Sequence, residues 1–150
     1  MLQLAFENPA EVMPSIRPLL DLNWAETGFD FGFDPDISMY QTLFDLGKLF
    51  AVSAKVDGEI VGYCTVCVTP HPHNPAIVIA ANDALFVHPD HRSGSIGARL
   101  IRFAETCAAA KGASRFLWHC RAGTKLAEVL ESHGYAPVDT VVMKELHRGH

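Results

Sequence analysis

The stretch that most limits what this chain can become runs from residue 76 to residue 107. It opens with AIVIAANDALFV, an apolar run long enough for a strand buried in the middle of a sheet. Pro89 halts that run, and HRSGSIG follows as a basic turn rich in glycine and serine. Ile96, Leu100, Phe103, Ala104 and Cys107 then recur at helical spacing, and Lys111-Gly112 ends the helix. A strand, a tight turn and an amphipathic helix in immediate succession form a unit of α/β architecture.

The flanking segments extend that unit in both directions. Gln3 to Phe6 reads as a first strand. Asn8 or Pro9 opens a helical region that runs through Asp21 and Trp24, and Pro14 and Pro18 bend or split it. TGFDFGFDPD (27–36) is a loop by its Gly, Asp and Pro content, and a second helix covers Ile37 to Leu46. In LFAVSAKVDGEIVGYCTVCV two β-branched runs flank Asp57-Gly58, the strongest short-range hairpin signal, and PHPHNP turns the chain into the central strand. Downstream, Arg115 to Cys120 is another strand. Thr124 caps a helix with Leu126, Val129, Leu130 and His133 on one face, and Gly134 stops it. VDTVVMKEL (138–146) is expected as a last strand. The order β-α-α-β-β-β-α-β-α-β is a mixed α/β layout, expected as one domain over residues 1–150.

Composition narrows the function classes. Of 150 residues, 49% are hydrophobic and 19% charged, and the net charge of −5 argues against general affinity for nucleic acid or anionic lipid. No apolar stretch approaches the roughly 20 residues that span a bilayer. MLQLAFENPAEV lacks the basic region of a signal peptide, so the cytoplasm is the expected compartment. Cys64, Cys67, Cys107 and Cys120 fit that compartment as free thiols. Cys64-x-x-Cys67 lies in a strand, where residues three apart point to opposite faces, and no second ligand pair follows at zinc-site spacing. Core packing therefore explains it better than metal or redox chemistry, and no metal is expected. The closing HRGH offers an adventitious metal site or a frayed tail.

The turn itself supports chemistry. A helix N-terminus offers unpaired N–H groups and about half a positive charge, and small residues before it let a phosphate approach the main chain. Arg92, Ser93, Gly94, Ser95 and Gly97 supply that setting, with Arg92 as a charge-assisted partner. No Gly-Lys-Ser/Thr follows, so this is not a Walker loop, and it is not a GxGxxG dinucleotide turn. Taken alone, it suits an anion site and a plain capped turn equally well.

The chain order, the VDGEIVGY hairpin, the strand LFVHPDHR, the loop RSGSIGARLI and the late LESHGY together resemble the GNAT superfamily of acetyl-CoA-dependent N-acetyltransferases. The family loop, Arg/Gln-x-x-Gly-x-Gly/Ala, is matched by Arg92 and Gly97, while Ser95 replaces its first glycine. GYCTVCVTPHPHN, ANDALFVHPDHR and RLIRFAE look more narrowly like small GNAT proteins of phages and prophages. The resemblance implies a GNAT-like fold with a mixed sheet whose central strand is bulged and splayed. It implies that amides of Ser93, Gly94, Ser95, Ile96, Gly97 and Ala98 hold the acetyl-CoA pyrophosphate. Leu85, Phe86 and Val87 would pair with the pantetheine arm, with an N–H at Phe86 or Val87 polarising the thioester carbonyl. Transfer would go directly to an amine, without Cys120 as nucleophile.

Direct attack needs a neutral amine, hence a group to take its proton. Asp83 is the first candidate, since alternation along the strand would put residues 83, 85 and 87 on one face; the same carboxylate also suits a purely structural part. His71 and His73, in the turn remote from the loop, are the second candidates. Many family members protonate the departing thiolate with a tyrosine on the last helix. Here Leu130 holds that position, and Ser132, Tyr135 and His119 are substitutes by neighbourhood only. The lid TGFDFGFDPD, with Glu26, Asp30, Asp34, Asp36, Phe29, Phe31 and Phe33, suits the entry of a cationic amine, whether small or on a host protein, and equally a solvated loop docked on the core. Homodimers are common in the family. A catalytically weak CoA- or protein-binding module is the alternative that the missing tyrosine favours, and a domain for another phosphorylated ligand is a third.

Overall fold

The computed structural model describes residues 1–121 and 123–147; Arg148 to His150 of the terminal HRGH lie outside the described residues. The chain forms two compact units, Met1–His119 and Cys120–His150.

The first unit is one five-stranded sheet in the order β1-β2-β3-β4-β5. Strands β1 (Leu2–Glu7), β2 (Leu49–Val56), β3 (Glu59–His71) and β4 (Asn74–Val87) pair antiparallel, and β5 (Arg115–Leu117) lies parallel to β4. The β2–β3 turn carries φ of +52° at Asp57 and +82° at Gly58, the left-handed pair that a two-residue hairpin needs.

Helices cover both faces of this sheet. The proline-rich segment is split, as the sequence predicts, into α1 (Pro9–Ser15) and α2 (Arg17–Thr27), with Asn8 capping α1 through the amide of Ala10. Helix α3 (Ile37–Asp45) starts where the Asp36 carboxylate accepts from the Met39 amide at 3.0 Å. Buried residues of α1 and α2, among them Val12, Met13, Leu19 and Leu20, pack with Tyr63 and Phe86 on one face. On the other face, α4 (Ile96–Ala110) sets Leu100, Ala104 and Ala108 against Phe50, Val52, Cys64, Val66 and Ala80. Each fully buried Leu or Phe contributes about 1.5–3 kcal/mol to folding, so the sheet is clamped from two sides.

The second unit contains α5 (Lys125–Ser132), preceded by Thr124, whose hydroxyl donates to the Arg121 carbonyl rather than capping the helix. Two expectations fail among the later elements. Residues 138–146 form no strand, and Val138, Val141, Val142, Met143 and Leu146 are exposed. Strand β5 ends at Leu117 rather than at Cys120, because the Asn82 side chain takes over its ladder bonds, as described below. A third expectation, simple alternation along β4, also fails. Thr65 faces Ala84 while Val66 faces Asn82, so Asp83 is an extra residue, a β-bulge.

Gly62 of β3 lies under the end of β4. A Cβ there would meet the Phe86 carbonyl oxygen at 3.2 Å, Val87 Cγ2 at 3.4 Å and Leu100 Cδ2 at 3.5 Å. Gly62→Val is therefore expected to cost about 1–3 kcal/mol of stability by overpacking, read as a lowered urea midpoint with an unchanged slope.

Candidate active site

The bulge decides which residues share a face with the candidate base. Before it, Val78 and Ala80 pack toward α4; after it, Leu85 and Val87 do so again. The extra residue resets the alternation, so Ala84 and Phe86 pack on the α1–α2 face, and Asp83 joins that side. Asp83, Leu85 and Val87 therefore do not share a face, contrary to the alternation read from the sequence. Asp83 Oδ2 accepts from Tyr40 Oη at 2.5 Å and from the buried Thr65 hydroxyl at 3.0 Å, while the Asp83 residue remains exposed. Beside this group, Asn23 donates to the Tyr63 hydroxyl at 2.9 Å. Tyr40 carries no motif, and its meeting with Asp83 comes from tertiary packing alone.

At the bulge the sheet also opens. Pairing of β4 with β5 covers only Ile79–Ala81 against Arg115–Leu117. At the next position the Asn82 carboxamide accepts from the His119 N–H at 2.6 Å and donates to the His119 carbonyl at 3.2 Å, filling in for a main-chain pair. Beyond it, residues 83 to 87 have no ladder partner on that side among the described residues. The His88 amide bonds the Val61 carbonyl at 2.7 Å, so main-chain groups of Phe86 turn toward β3 and those of Leu85 and Val87 turn to the open side. The Val87 carbonyl agrees, since it is taken by Arg92 Nε at 2.7 Å. Phe86 is thus the less suitable donor: its ring is buried and its amide is directed into the sheet.

A short 3-10 turn, Pro89–His91, carries the chain from β4 into the loop. The first amide of α4 to bond backward is that of Arg99, to the Ser95 carbonyl at 3.0 Å; those of Ile96, Gly97 and Ala98 have no helical carbonyl to reach. Ser95, the departure from the glycine pattern, sits at φ −95° and ψ 6°, in the bridge region where turn residues sit, and this negative φ needs no glycine. A Cβ at Gly94 would meet nothing within 4 Å, and one at Gly97 only Val87 Cγ2 at 3.9 Å, so the approach to these amides is open. Together the free amides and the open approach fit a phosphate group.

Arg92 departs from its expected part. Its Nη2 bonds both carboxylate oxygens of Glu26 at 2.8 and 3.0 Å, and its guanidinium lies 4.9 Å from the Phe86 ring centroid. The charge is used to strap the loop to α2 rather than left for an anion. Glu26 is correspondingly lost to the acidic lid, and Asp36 is occupied in capping α3. The lid's rings pack on one another: Trp24 lies 5.2 Å from Phe29, 5.3 Å from Phe31 and 5.2 Å from Phe33. Even so, Phe29 and Phe31 remain 52% and 59% exposed.

His71 and His73 sit together at the β3–β4 turn, the His73 amide donating to His71 Nδ1 at 3.0 Å. About 30 Å of extended strand separates Asn74 from Asp83, so the histidines and the aspartate are not brought together. Leu130 lies on α5 of the second unit, where Ser132 donates to the Val129 carbonyl of its own helix. Burial raises the Cys64, Cys67, Cys107 and Cys120 thiols above their usual range, which disfavours a thiolate nucleophile. No group of three His, Cys, Asp or Glu side chains among the described residues is placed to hold a metal ion. No helix among them is long and apolar enough to cross a membrane.

Burial pushes the Tyr63 phenol up to about 12, and burial followed by the Asp83 carboxylate raises Tyr40 further. Tyrosines that hold their protons more tightly when folded contribute stability below the unfolded value near 10 and lose it as pH rises through the folded value. Tyr63→Phe should accordingly lose less stability than the parent protein between pH 10 and 12, as measured by urea unfolding.

The sequence model described as the acetyltransferase (GNAT) family matches residues 16–135. No curated protein matches the chain. Among solved structures it is similar to a ribosomal-protein-alanine N-acetyltransferase from Brucella melitensis, with 20% identity, TM-score 0.73 and coverage of 98% of this chain and 100% of that one. An aminoglycoside acetyltransferase from an uncultured soil metagenomic sample gives 20% identity, TM-score 0.77 and 98% coverage of both chains. An aminoglycoside N-acetyltransferase solved in complex with CoA gives 13% identity, TM-score 0.71 and coverage of 97% and 99%. At these identities the likeness to solved structures is one of fold.

Proposed function

From the premise that the chain belongs to the acetyltransferase (GNAT) family and is an acetyltransferase, we propose that it passes an acetyl group from acetyl-CoA directly to a primary amine, with Asp83 as the base. The observation that carries this reading is the free edge of β4 running straight into the unpaired amides of α4, with Asp83 at the bulge beside it. The family match runs through both units, which supports one functional domain over residues 1–150.

Acetyl-CoA supplies the acetyl group as a thioester. Amides of Ser93 to Ala98 hold its pyrophosphate, helped by the dipole of α4 and by the space over Gly94 and Gly97. Arg92 shapes this loop through Glu26 and contributes less to the phosphates than the main chain does. Main-chain groups of Leu85 and Val87 pair with the pantetheine arm as an added strand. The Val87 N–H, rather than that of Phe86, donates to the thioester oxygen as negative charge develops there. The amine nitrogen forms the new C–N bond and its proton passes to Asp83, through a water because the aspartate side chain is short. The C–S bond breaks and its electron pair leaves with sulfur. A thiolate is a tolerable leaving group near neutral pH, so the leucine at position 130 slows the reaction without forbidding it. His71 and His73 take no part in this reading.

The acceptor is proposed to be a cationic amine drawn by Asp30, Asp34 and the exposed faces of Phe29 and Phe31. Similar folds serve aminoglycosides and a ribosomal-protein alanine; the acceptor chemistry common to both is a primary amine. An acceptor on a host protein rests on the narrower likeness to phage and prophage proteins, which GYCTVCVTPHPHN and RLIRFAE carry.

Acetyl-CoA should raise the melting temperature, and Gly97→Glu, which folds because its site is open, should abolish the shift. Arg92→Ala should reduce the shift only in part. No shift at millimolar acetyl-CoA overturns the reading. Labelled acetyl-CoA should label at least one member of a panel of amino sugars, polyamines and peptides with free N-termini and lysines; labelling of none would leave a binding module instead of an enzyme. Asp83→Asn should lower kcat roughly 100-fold or more and remove the acid limb of the pH–rate profile.

A further inference from the structure

We infer that Tyr40 is a positioning residue for this transfer: with Thr65 it clamps Oδ2 of Asp83 and leaves Oδ1 to receive the acceptor's proton. The inference rests on the reading of Asp83 as base. Both hydrogen bonds to the carboxylate fall on Oδ2, from Tyr40 at 2.5 Å and Thr65 at 3.0 Å, and Oδ1 makes none among the described residues. Thr65 is almost fully buried in β3, whereas Asp83 is exposed, so the clamp grips from beneath and leaves the residue open to solvent.

The phenol is held for this part by the way α3 is anchored. Asp36 caps the helix, Asn8 bonds Gln41 at 3.0 Å across to α1, and Phe44 packs 6.1 Å from Phe6, which stacks on Phe50. Tyr40 therefore reaches Asp83 from a rigid support rather than from the lid. Desolvation first and the Asp83 carboxylate second hold the Tyr40 proton well above the ordinary phenol range, with smaller contributions from Tyr63 and Cys67. The hydroxyl stays a donor throughout the pH range of the reaction and does not compete for the acceptor's proton. A short carboxylate on a bulge has free rotation about χ1 and χ2 unless something stops it, and two donors on one oxygen stop it.

The first test needs no acceptor. In the free protein at neutral pH, the 13Cζ resonance of labelled Tyr40, which reports the hydrogen bond of its hydroxyl, should move in Asp83→Asn; an unchanged resonance means the bond is not made in solution and overturns the inference. The second test uses acetyl-CoA and whichever amine of the panel is acetylated fastest. Tyr40→Phe should lower kcat roughly 10- to 100-fold with the KM for acetyl-CoA and the melting temperature held. In the Asp83→Asn background the same substitution should have no further effect on kcat, because Tyr40 acts through the carboxylate. Equal losses in both backgrounds would make Tyr40 merely structural, and no loss in either would also overturn the proposal. If Asp83→Asn itself leaves kcat unchanged, the base assignment fails first and this inference with it.

Discussion

One inserted residue organises the working half of this protein. Had β4 continued the alternation of Val78 and Ala80 unbroken, Leu85 and Val87 would share the face of Asp83 and point away from α4. Asp83 keeps the face that this alternation gives it, onto Thr65 and under Tyr40, and the bulge moves Leu85 and Val87 to the α4 side. Bulges bend and twist the strand that carries them. Here the bend coincides with the place where β4 and β5 stop pairing, so one local irregularity serves both the carboxylate and the cleft beside it.

Local features were largely legible in the amino-acid sequence, and long-range ones were not. Asp57-Gly58 marks its hairpin because two successive left-handed residues suit few other sequences. Pro14 and Pro18 divide the first helical segment, and the loop-to-helix passage after Pro89 follows from residues close together in the chain. The bulge left no such mark. Asp83 has neither glycine nor proline beside it, and the register of β4 is fixed by contacts with a strand some 20 residues earlier. The guanidinium of Arg92 was legible as a charge beside an anion site, but its partner Glu26 lies 66 residues away. Residues 138–146 show the opposite failure: their β-branched composition suits a strand, and they form none. Composition can supply the tendency, but a strand also needs a neighbour.

The energetics of the site are divided in the same way. The core clamps on either face are made of large buried side chains, and they hold the sheet whether or not anything binds. The strap from Arg92 to Glu26 is half exposed on both sides, so its worth lies in setting the shape of the loop more than in stability. Tyr40, Tyr63, Thr65 and Asn23 form a polar row beneath the helices, where hydrogen bonds between partly buried groups fix orientation. Stability and alignment are thus assigned to different residues, and this lets the variants proposed above separate one from the other.

The carboxamide of Asn82 has the same donor and acceptor as a peptide group, but it can be used only once. Bonded to both main-chain groups of His119, it completes the ladder at that position and offers nothing to continue it. A strand that would otherwise zip onward is stopped by a counterfeit rung. The opening is therefore built into the strand pairing itself, and an incoming extended chain need not tear two strands apart to enter it. That cost is met during folding, once, and a ligand that uses the gap finds its half of the sheet waiting.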